Sequence, residues 1–213
     1  MHIREVRGLK YPDIFVTRFF FASSFHRTGG HVLELGCGNG NNLMLYDAYG
    51  WEVTGIDISQ SALNDARHNF SGRGNWIQHD LALGIPELPD SSIDVLLVPN
   101  VLNYLSRRAA RSVLCALASK MAPDSNLFVS VRSTGDYRFG RGEMVEHNGF
   151  VLNTPETGEA GLLNVFYSEH EVVTLLQEAL GIAPGKLNIL HSEFDNIQNE
   201  RLVPHNSDLI FWA

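Results

Sequence analysis

Cysteine is scarce in this chain of 213 residues: only Cys37 and Cys115 occur, far apart and in no metal-ligand or redox spacing. That excludes a disulfide scaffold and fits a reducing compartment. Basic residues are few too, 16 Lys and Arg against 24 Asp and Glu, giving a net charge of −8. They are scattered, so no positive footprint for a phosphate backbone forms and nucleic acid is not an expected partner. Long apolar runs are missing as well. The most apolar N-terminal stretch, Phe15 to Phe25, is broken by Arg18 and ends without a small-residue cleavage pattern, so it reads as neither signal peptide nor membrane span. A cytoplasmic protein with no membrane partner is the expectation. The nine histidines include no H-x-H or H-E-x-x-H spacing, so no metal site is expected.

What is present is 44% hydrophobic composition, enough for one sizeable core. The chain reads as one domain over 1–213, with 1–30 as an N-terminal cap segment and 133–167 as a lid or acceptor-binding insertion. Short apolar runs alternate with helical periodicity from His31 to Arg132, the pattern of βαβ units on a parallel sheet. Strands are expected at His31–Leu35, Glu52–Asp57, Asn75–His79, Ile93–Val98 and Leu127–Val131. Ser59 caps one expected helix; Ser106 caps another that carries its apolar face to Met121, where Pro123 stops it. Ser168 and Glu171 form a capping box before a third, which Gly181 ends. Two further strand-like runs, Leu187–Phe194 and Asp208–Trp212, flank a polar turn with Pro204 and Asn206 and suggest an antiparallel hairpin closing the sheet edge. The stretch 133–167 is long and lacks clear periodicity, as lids and binding loops do.

The strongest signal is the run from His31 to Leu43, a hydrophobic strand leading into Gly36, Gly38 and Gly40 and then a helix. Glycine suits a tight turn where the backbone approaches a nucleotide-type ligand with no side chain between. The dinucleotide fingerprint G-x-G-x-x-G is not met, because the third glycine comes one residue early and Asn41 stands in its place. Glu34 sits just before the loop, and a carboxylate there suits a cationic amino group better than phosphates.

These residues resemble the class I S-adenosylmethionine-dependent methyltransferase family, whose first motif is an acidic residue two positions before G-x-G-x-G. Val53 to Ser59 resembles the second motif, which implies that Asp57 takes both ribose hydroxyls and Ile58 packs on the adenine. His79-Asp80-Leu81 resembles the adenine-edge site, with Asp80 accepting from the exocyclic amine and Leu81 beside it. In the segment Ile93 to Leu105, Asn100 and Val101 would line the methionine side. The resemblance also puts Gly36, Cys37, Gly38, Asn41 and Asn42 around the cofactor, and Tyr11, in the Arg7–Pro12 segment, over it. The implied fold is an α/β, Rossmann-like seven-stranded, mostly parallel sheet with helices on both faces and a C-terminal antiparallel hairpin. The implied cofactor is S-adenosyl-L-methionine, with S-adenosyl-L-homocysteine as product.

The acceptor is narrowed by departures from family motifs. Val98-Pro99-Asn100-Val101 is not the Asn/Asp-Pro-Pro-aromatic motif used on base amino groups, and no aspartate ends that strand to hold the magnesium of catechol-type enzymes. A small-molecule acceptor is therefore expected, in the outline of the tellurite- and thiol-type enzymes. Tyr137, His147 and Tyr167 in the insertion and Asn103 and Tyr104 after the fourth strand are the acceptor-side candidates, none singled out as catalytic. Competing readings are a methyltransferase acting on a protein, a non-catalytic S-adenosylmethionine sensor and a nicotinamide-dependent oxidoreductase. A monomer or homodimer is expected.

Overall fold

A computed structural model describes residues 3–153, 155, 158–198 and 201–213. The first five strands, β1 (His31–Leu35), β2 (Glu52–Asp57), β3 (Asn75–Gln78), β4 (Ile93–Pro99) and β5 (Met121–Arg132), run parallel in one sheet. Near the C-terminus β9 (Asn188–Gln198) and β10 (Arg201–Trp212) pair with each other antiparallel, and β10 pairs antiparallel with β5. The sheet order is β3-β2-β1-β4-β5-β10-β9, so the winding direction reverses between β1 and β4. Ligands of open α/β sheets bind at that reversal, outside the carboxyl ends of the strands.

Strand alternation sends side chains to two cores. Val32, Val53, Val95, Leu97, Phe128 and Ile210 meet α1 (Ile14–Ala22), α2 (Leu43–Ala48) and α3 (Gln60–Asn69) on one face. Leu33, Leu35, Ile56, Leu96, Val98 and Val129 meet α4 (Arg107–Leu117) and α5 (Glu169–Leu180) on the other. The expected Rossmann-like fold, with helices on both faces, is the observed one. The apolar stretch from Phe15 supplies α1, whose Val16, Phe19 and Phe20 are buried. Among the described residues no helix is long and apolar enough to cross a membrane.

Four local expectations are corrected. The helix capped by Ser106 ends at Leu117, not Met121, because the sheet claims the following residues: Lys120 O accepts from Ser92 N and Ile93 N, and Met121 pairs with Ile93. Strand β5 therefore begins six residues before the expected Leu127, with Pro123 and Asp124 (φ 60°) in a bulge where its missing N–H breaks no ladder bond. Pro204 and Asn206 do not form the hairpin turn either. Both lie within β10, at a bulge where the register jumps from Val203 to Asn206, held by Asn206 Nδ2 donating to Val203 O at 2.8 Å. The stretch 133–167 is not structureless: β6 (Gly142–Glu146), β7 (Gly149–Leu152) and β8 (Leu163–Val165) form a separate antiparallel sheet. Phe139, Phe150 and Phe166 pack edge to face beneath it, with centroids 5.3 to 6.1 Å apart.

Candidate functional site

The ends of β1, β2, β3 and β4 open onto a cavity of about 460 Å³ lined by Gly36, Asp57, Ile58, His79, Asp80, Leu81, Pro99, Asn100, Val101, Tyr104, Leu105 and Leu162. Each strand contributes residues at or just past its carboxyl end, where the backbone leaves the sheet. The glycine turn makes room for this. Gly36 has φ 65°, and a Cβ there would stand 2.8 Å from Val101 Cγ2; at Gly40 (φ 78°) it would meet the Phe70 and Trp76 rings. At Gly38 (φ 53°) a Cβ would enter open space, which leaves the loop backbone bare to a ligand.

Asp57 is the best-fixed acid of the cavity. Its Oδ2 accepts from Gly38 N and its Oδ1 from Ser59 N, both at 2.8 Å. Each carboxylate oxygen offers about two acceptor positions, so both retain one for a vicinal diol. Ile58 beside it is 64% exposed, a flat apolar surface at the rim. Asp80 uses Oδ1 for Ala82 N at 2.9 Å and ends in the same cavity. Asn100 adopts φ 53°, with N donating to Ser130 O and a buried Oδ1 without a partner among the described residues.

Glu34 lies below the loop rather than in the cavity wall. It is 1% exposed, its Oε1 accepts from Asn42 Nδ2 at 2.6 Å, and its Oε2 has no partner among the described residues. Burial pushes its carboxyl up to about 8; the Asn42 bond opposes this and the nearby Asp57 and Asp13 carboxylates add to it. A group so placed stays protonated unless a cation arrives, which is the chemistry of a seat for an ammonium group.

The remaining candidates fall elsewhere. Cys37 is buried with Sγ turned toward Gly55 and Trp76. Asn41 and Asn42 turn their amides to the N-terminal segment: Asn41 Nδ2 donates to Tyr11 O at 3.0 Å and Asn42 Oδ1 accepts from Asp13 N at 2.8 Å. The Tyr11 side chain is 72% exposed and does not line the cavity. Of the acceptor-side candidates, only Tyr104 reaches the cavity. Its hydroxyl donates to Glu159 Oε1 at 3.2 Å and accepts from Arg132 Nη2 at 3.0 Å, and burial raises its pKa against the pull of Arg132. Tyr167 is buried in the core with Arg107 over its ring, Asn103 is buried with Oδ1 accepting from Arg132 N, Tyr137 lies under Arg138, and His147 is on the surface 3.4 Å from Glu171.

His79, Pro99, Leu105 and Leu162 complete the lining without having been singled out as site residues. The His79 Nε2 is buried and without a partner among the described residues. Leu162 arrives from the insertion, far along the chain and outside any periodic pattern, so only the fold brings it to β4. Among the described residues no three His, Cys, Asp or Glu side chains are grouped as a metal site.

Known proteins share part of this sequence and the fold. A family model described as a methyltransferase domain matches residues 32–124. The ribosomal protein L11 methyltransferase of Burkholderia mallei is 36% identical over 104 residues, 48% of this chain and 32% of that protein, so the match spans about a third of the relative's length. A solved S-adenosylmethionine-dependent methyltransferase from Methanosarcina mazei superposes with a TM-score of 0.67 at 18% identity, covering 86% of this chain and 91% of the other. One from Archaeoglobus fulgidus does so with 0.61 at 17%, covering 94% and 92%.

Proposed function

We propose that this chain, whose residues 32–124 match a methyltransferase domain model, is a class I methyltransferase that binds S-adenosylmethionine in the cavity and methylates a small molecule. The observation that carries the reading is the convergence of Gly36, Asp57, Ile58, Asp80, Leu81, Asn100 and Val101 on one cavity at the sheet reversal. When bound, the cofactor supplies a sulfonium methyl for in-line transfer to a nucleophile.

The residues divide the work by chemistry. Asp57 has the acceptor positions for a ribose diol, Ile58 and Leu81 the apolar surface for an adenine ring, and Asp80 a carboxylate for its amine. Glu34 fits the amino group, since a cation relieves the cost of its ionisation. At the other end Val101, Tyr104, Leu105 and Leu162 give an apolar wall that keeps water out. Alignment of nucleophile and methyl in such a site supplies about 7 to 11 kcal/mol of barrier reduction. Tyr104 holds its proton between Arg132 and Glu159, so it is not a base, and an acceptor that needs none fits best. The family match stops at residue 124, so of this apolar wall only Leu162 lies outside it.

Calorimetric titration with S-adenosylmethionine, S-adenosylhomocysteine and NAD tests the reading. Micromolar binding of the first two, about −8 kcal/mol, none of NAD and severe loss in Asp57→Ala are expected. Binding of NAD alone, or unchanged affinity in the variant, contradicts it. Turnover to S-adenosylhomocysteine with any acceptor separates an enzyme from a sensor.

A further inference from the structure

The segment 7–13 crosses the glycine loop and is held there by side-chain amides. Asn39 Nδ2 donates to Arg7 O at 2.7 Å and to Leu9 O at 2.8 Å, and Asn41 Nδ2 to Tyr11 O. Asn69, at the end of α3, accepts from Arg7 N at 2.9 Å and donates to Arg7 O at 3.0 Å. Apolar burial adds little: Leu9 is 68% exposed and Tyr11 72%. A strap fastened by hydrogen bonds and not by a packed face is easily released, since water competes for each bond.

One of the fastenings differs from the rest. Asn42 bonds the strap through Oδ1, which accepts from Asp13 N, and bonds the buried carboxylate through Nδ2, which donates to Glu34 Oε1. The amide has only one orientation that satisfies both, because a flip would set its N–H against the Asp13 N–H. Asn42 is itself 5% exposed, so water does not replace either bond. Asp13 also begins α1, accepting from Phe15 N and Val16 N, so the strap's docked end is continuous with the first helix.

We infer that Asn42 is a positioning residue that makes docking of the strap 7–13 and capture of the cofactor's amino group at Glu34 one coupled event. The inference rests on the proposed cofactor site. An ionised Glu34, paired with the ammonium group, strengthens its bond from Asn42 Nδ2 and fixes the amide. The fixed Oδ1 then holds the Asp13 N–H, and the strap closes over the glycine loop. Asn39 fastens the strap without touching Glu34, which supplies the control.

Amide hydrogen exchange of residues 7–13, with and without S-adenosylhomocysteine, tests this in wild type, Asn42→Ala and Asn39→Ala. Saturation is checked by calorimetry in each protein. In wild type the nucleoside slows strap exchange at least tenfold. Asn39→Ala exchanges faster in both states yet keeps that ratio, whereas Asn42→Ala loses it, with a ratio under threefold at saturation. Equal ratios in the two variants mean that Asn42 is only one more fastening, and they overturn the coupling. So does unaltered strap exchange in wild type with nucleoside bound. Failure of wild type to bind the nucleoside overturns the cofactor reading first, and the coupling with it.

Discussion

Glu34 shows how one buried residue sets a pH dependence. Its carboxyl, ordinarily near 4.5, is pushed up to about 8, mainly by burial. Between those values the unfolded chain is ionised and the folded one protonated, so the unfolded state binds fewer protons and stability falls as pH rises. Asp208, raised from 3.8 to about 6 by burial, acts likewise at lower pH, so Glu34 is isolated above pH 6. Glu34→Gln keeps an acceptor for Asn42 and removes the ionisation. In urea unfolding of ligand-free protein, wild type is expected to lose about 1.4 kcal/mol relative to the variant for each pH unit between roughly 6 and 8. Parallel profiles would show that Glu34 is ionised throughout. At this scale the glycines were legible, because a positive φ or a blocked Cβ demands them, as at Gly36 and Gly40. The amides of Asn41 and Asn42 were not, since side chain to backbone bonds across some 30 residues leave no spacing to read.

Among the elements, legibility followed the range of the forces involved. The box at α5 is local, and the structure has both halves of it: Ser168 Oγ accepts from Glu171 N, and the Glu171 carboxylate accepts from Ser168 N at 2.7 Å. Gly181 ends the helix at φ 71°, as its lack of a Cβ allows. Ser168→Ala leaves Glu171 N without its cap and is expected to cost about 1 kcal/mol, read as a lower urea midpoint at unchanged m-value. A changed m-value, or no shift, would place the helix's stability in packing alone. Strand limits were less legible. The early start of β5 and the bulge at Pro204 are set by partners on β4 and β9, and a proline that reads as a stop in one dimension sits harmlessly at a bulge in three.

The whole molecule is a seven-stranded Rossmann-like sheet with its own cover. The strand order and the crevice at the β1/β4 reversal follow from βαβ alternation, which the sequence displays plainly, whereas the small sheet of 142–165 follows from antiparallel pairing of short, weakly patterned segments. That cover is tied to the main sheet by Arg132, whose guanidinium bonds both Glu159 oxygens at 2.7 and 2.8 Å and stacks on Tyr104, and it brings Leu162 to the cavity. The proposed acceptor side therefore draws Leu162 from the part of the chain where periodicity is weakest. The cofactor crevice belongs to the part where it is strongest, and a crystal structure with S-adenosylhomocysteine tests it most directly. The account predicts the ribose diol on the Asp57 carboxylate, the adenine between Ile58 and Leu81, and the amino group toward Glu34. A nucleoside bound elsewhere, or a crevice filled by protein side chains at saturating nucleoside, would contradict it.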